Sequence, residues 1–217
     1  MNGEQEQEQA LEGRFEEAWN LLEQGDVSGA RALGEALRAE QPDLADAAFL
    51  LASCARASGD EDGALEGLKT AARLDPDWSE PDLLAADWLA SRGDLEEALP
   101  YALAAVSKAD EEDELLDAIS LKASIELDLD REDEARKTLA VLPGAKTVEA
   151  SAEAACEIGH LFLATDEIDT ARDWFERAAE IAPDDGDVFH GLGIAAELAG
   201  DDTAKRTAWL RLKSVLG

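Results

Sequence analysis

A repeat of about 34 residues is the feature that most constrains how this chain folds. The clearest copy is the stretch 59–76, GDEDGALEGLKTAARLDP, in which a Gly-Asp turn comes before a helical pattern and a proline ends it. Gly25 begins a similar turn one period earlier, and Gly93 begins another one period later. Because a period of this length is typical of stacked helix-turn-helix units, the sequence predicts an array of repeated helix pairs.

The composition supports helices rather than strands. Hydrophobic residues make up 46% of the chain, with Ala and Leu supplying most of them, whereas aromatic residues make up 5%. Strands favour β-branched and aromatic residues, which are sparse here. Glycine and proline fall mainly at the ends of the helical stretches, where they act as breakers. The predicted fold class is therefore all-α.

The repeat divides the chain into about six predicted helix pairs. Residues 1–7 are a polar Glu/Gln tract with little to bury in a core, so we expect a disordered acidic and polar tail there. Residues 8–217 are expected to form a single array. Its helix pairs are predicted at about 11–42, 43–76, 77–110, 114–143, 147–183 and 186–217.

Small residues and prolines recur at fixed places in these pairs. The second pair carries Ala52, Ala64, Leu68, Ala71 and Pro76, and the fifth carries Gly159, Ala171, Phe175, Ala178 and Pro183. In these residues, and over nearly its whole length, the chain resembles the tetratricopeptide-repeat family. The first pair departs from the family pattern, with Gly34 where an aromatic residue or leucine is usual. The resemblance implies a right-handed superhelical solenoid of antiparallel helix pairs, with a concave groove lined by the first helix of each pair.

The resemblance also implies which side chains line this groove, and most of them are acidic or apolar. Groove positions include Asp46, Ser53, Glu80 and Leu84. The residues predicted to bind a partner are Phe15, Trp19, Phe49, Leu50, Arg56, Leu83, Asp87, Leu121, Cys156, His160 and His190. We expect a basic or apolar protein or peptide there, because carboxylates steer basic segments and aromatic side chains are good interface anchors. Family members that clamp a partner's terminal carboxylate need several basic groove residues, and Arg56 alone does not supply them.

The net charge of −32 excludes several classes of partner. It arises from 51 acidic and 19 basic residues, and it would repel both nucleic acid and anionic membrane surfaces. A role of the acidity in solubility or salt adaptation alone is an open alternative. No apolar run reaches the roughly 18 residues of a membrane span, and the N-terminus lacks the features of a signal peptide, so we expect a cytoplasmic location.

One group of residues carries chemistry that a scaffold does not need. Cys156 and His160 are four residues apart on one predicted helix face, and His190 lies on the next first helix. Thiolate and imidazole are zinc ligands, and a Cys-His pair can form a nucleophile, but the close ligand pairs of zinc motifs are missing. The sequence therefore predicts a non-enzymatic interaction scaffold without a cofactor. The alternatives are a chaperone-like holder of an assembly or secretion client, and a metal- or thiol-dependent activity at these three residues.

The last predicted helix differs from the others in charge. Residues 201–217 contain four basic and two acidic side chains, whereas the rest of the chain is strongly acidic. A terminal unit of a solenoid needs a polar outer face, so we expect this helix to cap the array. Self-association through the same helix is the alternative.

Overall fold

The computed structural model describes residues 3–145 and 150–217, and this described part contains twelve α-helices and no strand. The helices are α1 (Gly3–Glu23), α2 (Val27–Glu40), α3 (Ala45–Ala57), α4 (Glu61–Leu74), α5 (Glu80–Ser91), α6 (Leu95–Lys108), α7 (Glu112–Asp128), α8 (Glu132–Leu139), α9 (Ala152–Ala164), α10 (Ile168–Ile181), α11 (Gly186–Leu198) and α12 (Asp202–Leu216). The all-α repeat-solenoid fold expected from the sequence is confirmed.

The N-terminal tract differs from its prediction. Residues 1–7 were expected to be disordered, but α1 begins at Gly3 and includes residues 3–7. Glu and Gln are good helix formers, and extending an existing helix costs far less than nucleating one, so the polar tract continues the helix that Phe15 and Trp19 anchor. Met1 and Asn2, and residues 147–149 of the predicted fifth pair, lie outside the described residues.

Aspartate caps begin several of the second helices. Asp26 accepts a hydrogen bond from the backbone N–H of Gly29 at 2.9 Å, and Asp60 accepts one from that of Gly63 at 3.0 Å. Asp201 does the same for two N–H groups at the start of α12. These contacts satisfy backbone donors that a helix start otherwise leaves unpaired. The Gly-Asp turns of the sequence are therefore also the N-caps of the helices that follow.

The turns before α8 and α10, the fourth and fifth within the helix pairs, have an aspartate where the first two turns have a glycine. Gly25 and Gly59 occupy the left-handed backbone region in the first two turns, with φ of 82° and 77°. The corresponding residues in the fourth and fifth turns are Asp130 and Asp166, with φ of 58° and 60°. Residues with a Cβ adopt this region at a cost that glycine does not have. The two aspartates therefore hold strained turns.

The described residues form two compact units, Met1–Trp88 and Leu89–Gly217, and the boundary falls within α5. In the first unit α1 packs on α2, α2 on α3, and α3 on α4. The buried residues Ala18, Ala30, Leu37, Ala47, Leu50 and Cys54 form its core. Helices α3 and α4 approach closely at Gly67, where an added Cβ would lie 2.7 Å from the Cβ of Ala52.

In the second unit α7 packs on α6, α8 and α9, and the helices from α9 to α12 pack in order. Its core contains the fully buried side chains of Trp174 and Phe175. The Phe175 ring lies against Gly159, where an added Cβ would be 2.8 Å from the ring, and against Gly191, where it would be closer still. The glycines therefore leave the space that this ring occupies.

A buried polar network joins α7 to α8. Helix α8 is short, with eight residues, whereas α6 and α10 have 14 each. Lys122 Nζ donates to Glu126 Oε1 and to Thr138 Oγ1, both at 2.5 Å. Thr138 Oγ1 donates to Glu126 Oε2 at 2.6 Å. Glu126 is only 4% exposed, so its carboxylate oxygens bond to these side chains in place of water.

Candidate functional site

The first unit contains an open cavity of about 500 Å³. Its walls come from the first helices of three successive pairs, α1, α3 and α5, and from the segment that leads into α5. The lining residues are Trp19, Asp46, Phe49, Ser53, Arg56, Trp78, Glu80 and Leu84.

Three aromatic rings form one wall of this cavity. The Phe49 ring lies between the other two, with its centroid 6.0 Å from that of Trp19 and 4.7 Å from that of Trp78. The interplanar angles are 53° and 50°, within the tilted arrangements that aromatic pairs favour. Phe49 is 7% exposed, whereas both tryptophans are half-buried. The tryptophans therefore combine a fixed position with apolar surface that a ligand can reach.

Helix α3 supplies half of the lining through one face. Asp46, Phe49, Ser53 and Arg56 follow one another at intervals of three, four and three residues, which places them along one side of the helix. Most of the other α3 side chains are buried alanines and leucines, so the helix is held by its remaining faces. The cavity face is therefore presented by a well-anchored element.

The two charged residues of α3 stand at opposite ends of this face. Asp46 lies in the first turn and Arg56 in the last, and both are exposed. Neither side chain has a hydrogen-bond or ion-pair partner among the residues that the structure describes. At 1.5 Å per residue, ten residues separate them by about 15 Å along the helix axis. The cavity thus has a negative end and a positive end.

The structure places the predicted residues of the first unit in different environments. Trp19, Phe49 and Arg56 line the cavity, and Phe15 packs against the core of the unit. Leu50 is fully buried in that core, so its prediction as a partner-binding residue is corrected. Two more predicted residues, half-buried Leu83 and exposed Asp87, are not among the residues that line the cavity.

Trp78 is the cavity residue that the sequence reasoning missed. It lies between α4 and α5, outside the first-helix positions from which the groove was predicted. The signal was a large aromatic residue in a short polar connection, two residues before α5 begins at Glu80. A tryptophan in such a place needs an apolar neighbour, and Phe49 provides it.

In the second unit, the two predicted histidines lie against aromatic rings. The ring centroids of His160 and Phe175 lie 4.9 Å apart, and those of His190 and Trp209 lie 5.7 Å apart. Both pairs are in edge-to-face arrangements. Burial lowers the pKa of His160, and the neighbouring His190 lowers it further. Burial and the carboxylates of Asp185 and Asp187 raise the pKa of Cys156 from 9.0 to about 11.

A thiol with such a pKa stays protonated near neutral pH, whereas nucleophilic cysteines have lowered pKa values. Cys54 and Cys156 are both free thiols. Within residues 3–145 and 150–217, no group of three or more His, Cys, Asp and Glu side chains is placed to hold a metal ion. The geometry therefore gives no support to a thiol- or metal-dependent activity at Cys156, His160 and His190. The remaining predicted residue, Leu121 on α7, is half-buried.

In the described part of the chain, no helix combines the length and the apolar character needed to cross a bilayer.

Comparisons with known proteins agree with the repeat pattern. Tetratricopeptide-repeat family models match residues 21–87 and residues 152–185. A comparison with curated protein sequences finds no match.

Solved structures with the same fold cover nearly the whole chain. PilF of Pseudomonas aeruginosa is 17% identical, over 96% of this chain and 92% of PilF, with a TM-score of 0.74. PilW, described as a type IV pilus biogenesis factor, is 17% identical over 96% of this chain and 99% of PilW, with a TM-score of 0.68. YrrB, described as a tetratricopeptide-repeat protein with an unusual peptide-binding site, is 16% identical over 84% of this chain and 91% of YrrB, with a TM-score of 0.66. The family models identify tetratricopeptide repeats at these two stretches, residues 21–87 and 152–185, and the chain shares the all-α repeat-solenoid fold of the three solved structures.

Proposed function

We propose that the chain is a protein-interaction scaffold that binds a short segment of a partner protein in the cavity of its first unit. The observation that carries the proposal is the aromatic wall formed by Trp19, Phe49 and Trp78 in an open cavity of about 500 Å³. Tryptophan is enriched among the residues that contribute most to binding energy at protein interfaces. The volume lies within the range of typical ligand pockets.

The charge of the chain favours a partner that is basic as well as apolar. Asp46 and Glu80 both line the cavity, and the whole chain carries a net charge of −32. Such a field attracts a basic segment and increases its rate of association, especially at low salt. The cation of a lysine or arginine can also bind to the face of a tryptophan ring.

The similarity to YrrB supports a peptide as the class of ligand, because that protein is described as having a peptide-binding site. The similarity to PilW bears on the alternative of a chaperone-like holder, since PilW is described as a biogenesis factor for a pilus. The cavity favours the first interpretation, because an anchored aromatic wall of fixed spacing suits a defined sequence. A holder of many clients needs an adaptable surface instead.

A selection from a displayed library of random short peptides tests the proposal. We expect the full chain to enrich a family of related sequences, and we expect Trp78→Ala to weaken their binding by roughly tenfold or more. Trp209→Ala is the matched control, because Trp209 is also half-buried but lies on α12 in the second unit. Circular dichroism and urea unfolding would verify that both variants keep their helices.

Three outcomes would contradict the proposal. The first is a selection that yields no sequence above background. The second is a set of peptides whose affinity is unchanged by Trp78→Ala. The third is enrichment of many unrelated apolar sequences, which would instead indicate a holder of unfolded clients.

A further inference from the structure

We infer that the cavity of the first unit distinguishes its ligands by the order of their charges. In this inference, which rests on the proposed function, the bound segment places a cation at Asp46, apolar side chains on the aromatic wall and an anion at Arg56. The ligand class is thus a peptide segment with a basic residue and an acidic residue on either side of an apolar centre.

The geometry of α3 supplies the first argument. Asp46, Phe49 and Arg56 lie along one face of this helix, so a segment that follows the face meets a carboxylate, an aromatic ring and a guanidinium in turn. The two charges are about 15 Å apart along the axis. An extended chain advances about 3.3 Å per residue, so the two charged residues of the ligand would be separated by about four or five positions.

The lack of partners for the two charges supplies the second argument. Among the described residues neither Asp46 nor Arg56 makes an ion pair, whereas Arg14 and Arg131 pair with Glu40 and Glu96 at 2.6 Å. Arg38 and Arg73 are also exposed and form no ion pair with a described residue, but only Arg56 of these three arginines lines the cavity. Arginine binds carboxylates through two parallel hydrogen bonds, so Arg56 offers a specific site for an anionic group.

The third argument is that a basic residue is rare in the last turn of the first helices. The first helices α1, α5, α7, α9 and α11 have no basic residue in their last turn, and Arg56 makes α3 the exception among the six. Leu22 and Ala90 occupy the equivalent places in the repeats on either side. A favourable interaction with the helix dipole would apply equally to the other five helices, so it does not explain why only α3 carries the charge.

A double-mutant cycle on peptides from the library selection tests the inference. We expect the enriched sequences to contain a basic and an acidic residue at the stated separation. Changing the acidic residue of such a peptide to glutamine should weaken its binding to the unmodified chain by roughly tenfold. The same change should have little effect on binding to the Arg56→Gln variant, because the partner of the acidic residue is then missing.

The second half of the cycle uses Asp46→Asn with peptides whose basic residue is replaced by glutamine. Coupling is expected between Asp46 and the basic residue, and not between Asp46 and the acidic one. Arg73→Gln is the matched control, because Arg73 is also an exposed cation in the last turn of a helix but does not line the cavity. It should leave the affinity of all peptides unchanged.

The outcomes separate this inference from the proposed function. If peptides bind and depend on Trp78, but Arg56→Gln weakens them by the same factor whether or not they carry an acidic residue, the charge order is wrong and the peptide site stands. Enriched peptides that carry apolar residues without the two charges would lead to the same conclusion. If no peptide is enriched at all, the proposed function fails, and this inference fails with it.

Discussion

The Phe175 ring of the second unit shows how single residues set the packing of a helix array. Gly159 on α9 and Gly191 on α11 both leave room for this ring, which is fully buried. A methyl group at either glycine would overlap the ring, and the ring has no exposed side toward which it could move.

We therefore expect Gly191→Ala to lower the free energy of unfolding by about 1–3 kcal/mol, since overpacking outweighs the gain in helix propensity. Gly13→Ala is the matched control, because Gly13 lies in α1 with no atom within 4 Å of an added Cβ. That control should stabilise the chain by up to about 1 kcal/mol. Urea unfolding measures both changes, and a Gly191→Ala variant as stable as the original would contradict the packing described.

The Cys156 thiol provides a second test at this scale. With a pKa of about 11 in place of 9.0, its thiolate fraction near neutral pH should be lower by roughly a hundredfold. Iodoacetamide should therefore modify Cys156 slowly at about pH 8, with a rate that rises until the pH approaches 11.

Asp185→Asn should accelerate this modification, because it removes a carboxylate that raises the pKa of Cys156. Asparagine keeps the capping contact that Asp185 makes with the N–H of Asp187, so α11 is retained. Peptide mass spectrometry would follow the reaction at each cysteine. Modification at about pH 8 as fast as that of the unfolded chain would revive the thiol-dependent alternative.

Among the elements, the turns before α8 and α10 are those that depart from the repeat. Asp130 and Asp166 hold positive φ angles where Gly25 and Gly59 do so without strain. We expect Asp130→Gly and Asp166→Gly each to stabilise the chain by about 0.5 kcal/mol, because the relief of backbone strain exceeds the added conformational entropy of the unfolded chain. In contrast, Gly59→Ala should destabilise it by about 1 kcal/mol. Thermal unfolding of the three variants checks the signs, and a loss of stability in both glycine variants would mean that the turns are unstrained.

The pairing of α7 with α8 depends on the buried network of Lys122, Glu126 and Thr138. Lys122→Met should cost about 3 kcal/mol, because it leaves the buried carboxylate of Glu126 without its cation. Replacing both members, as Lys122→Met with Glu126→Leu, should recover most of that loss. The exposed pair of Arg172 with Asp169 is the control, and Arg172→Met should cost less than about 0.5 kcal/mol. Additive losses in the double variant would show that the two side chains do not interact.

Local signals in the sequence account for where α2 begins and ends. Asp26 caps its start, and Pro42, two residues after Glu40, prevents its continuation. The prediction of a disordered tail was wrong for residues 3–7, because low apolar content indicates only that a segment has little to bury. It does not decide whether a polar helix continues from a packed one.

At the scale of the whole molecule, the charge of −32 should affect stability as well as binding. Raising the NaCl concentration from about 0.05 M to about 1 M shortens the Debye length and screens repulsion among the carboxylates. We expect Tm to rise by roughly 5 °C, which corresponds to about 1–2 kcal/mol for a chain of this size. Choline chloride should act in the same way if screening is the cause, and a Tm that falls with salt would show that ion pairs outweigh the repulsion.

The candidate site was less predictable than the fold. Phe49 and Leu50 are adjacent, and the repeat pattern placed both in the groove, but a step of one residue turns a helix by about 100°, so Leu50 points into the core. Trp78 lies outside the helices, where the pattern makes no assignment. Periodicity therefore locates a helix face approximately, and the contacts of individual side chains decide which residues line it.

The aromatic wall is assembled across repeats, and this has a mechanical consequence. Trp19, Phe49 and Trp78 belong to successive repeats, and the centroids of neighbouring rings are 6.0 Å and 4.7 Å apart. Bending of the helix array in the first unit would therefore change the distances between these rings. If the wall binds a partner segment as proposed, its occupation and the curvature of the first unit are coupled, so a segment that fits the rings should stiffen this unit and bending the unit should weaken its binding.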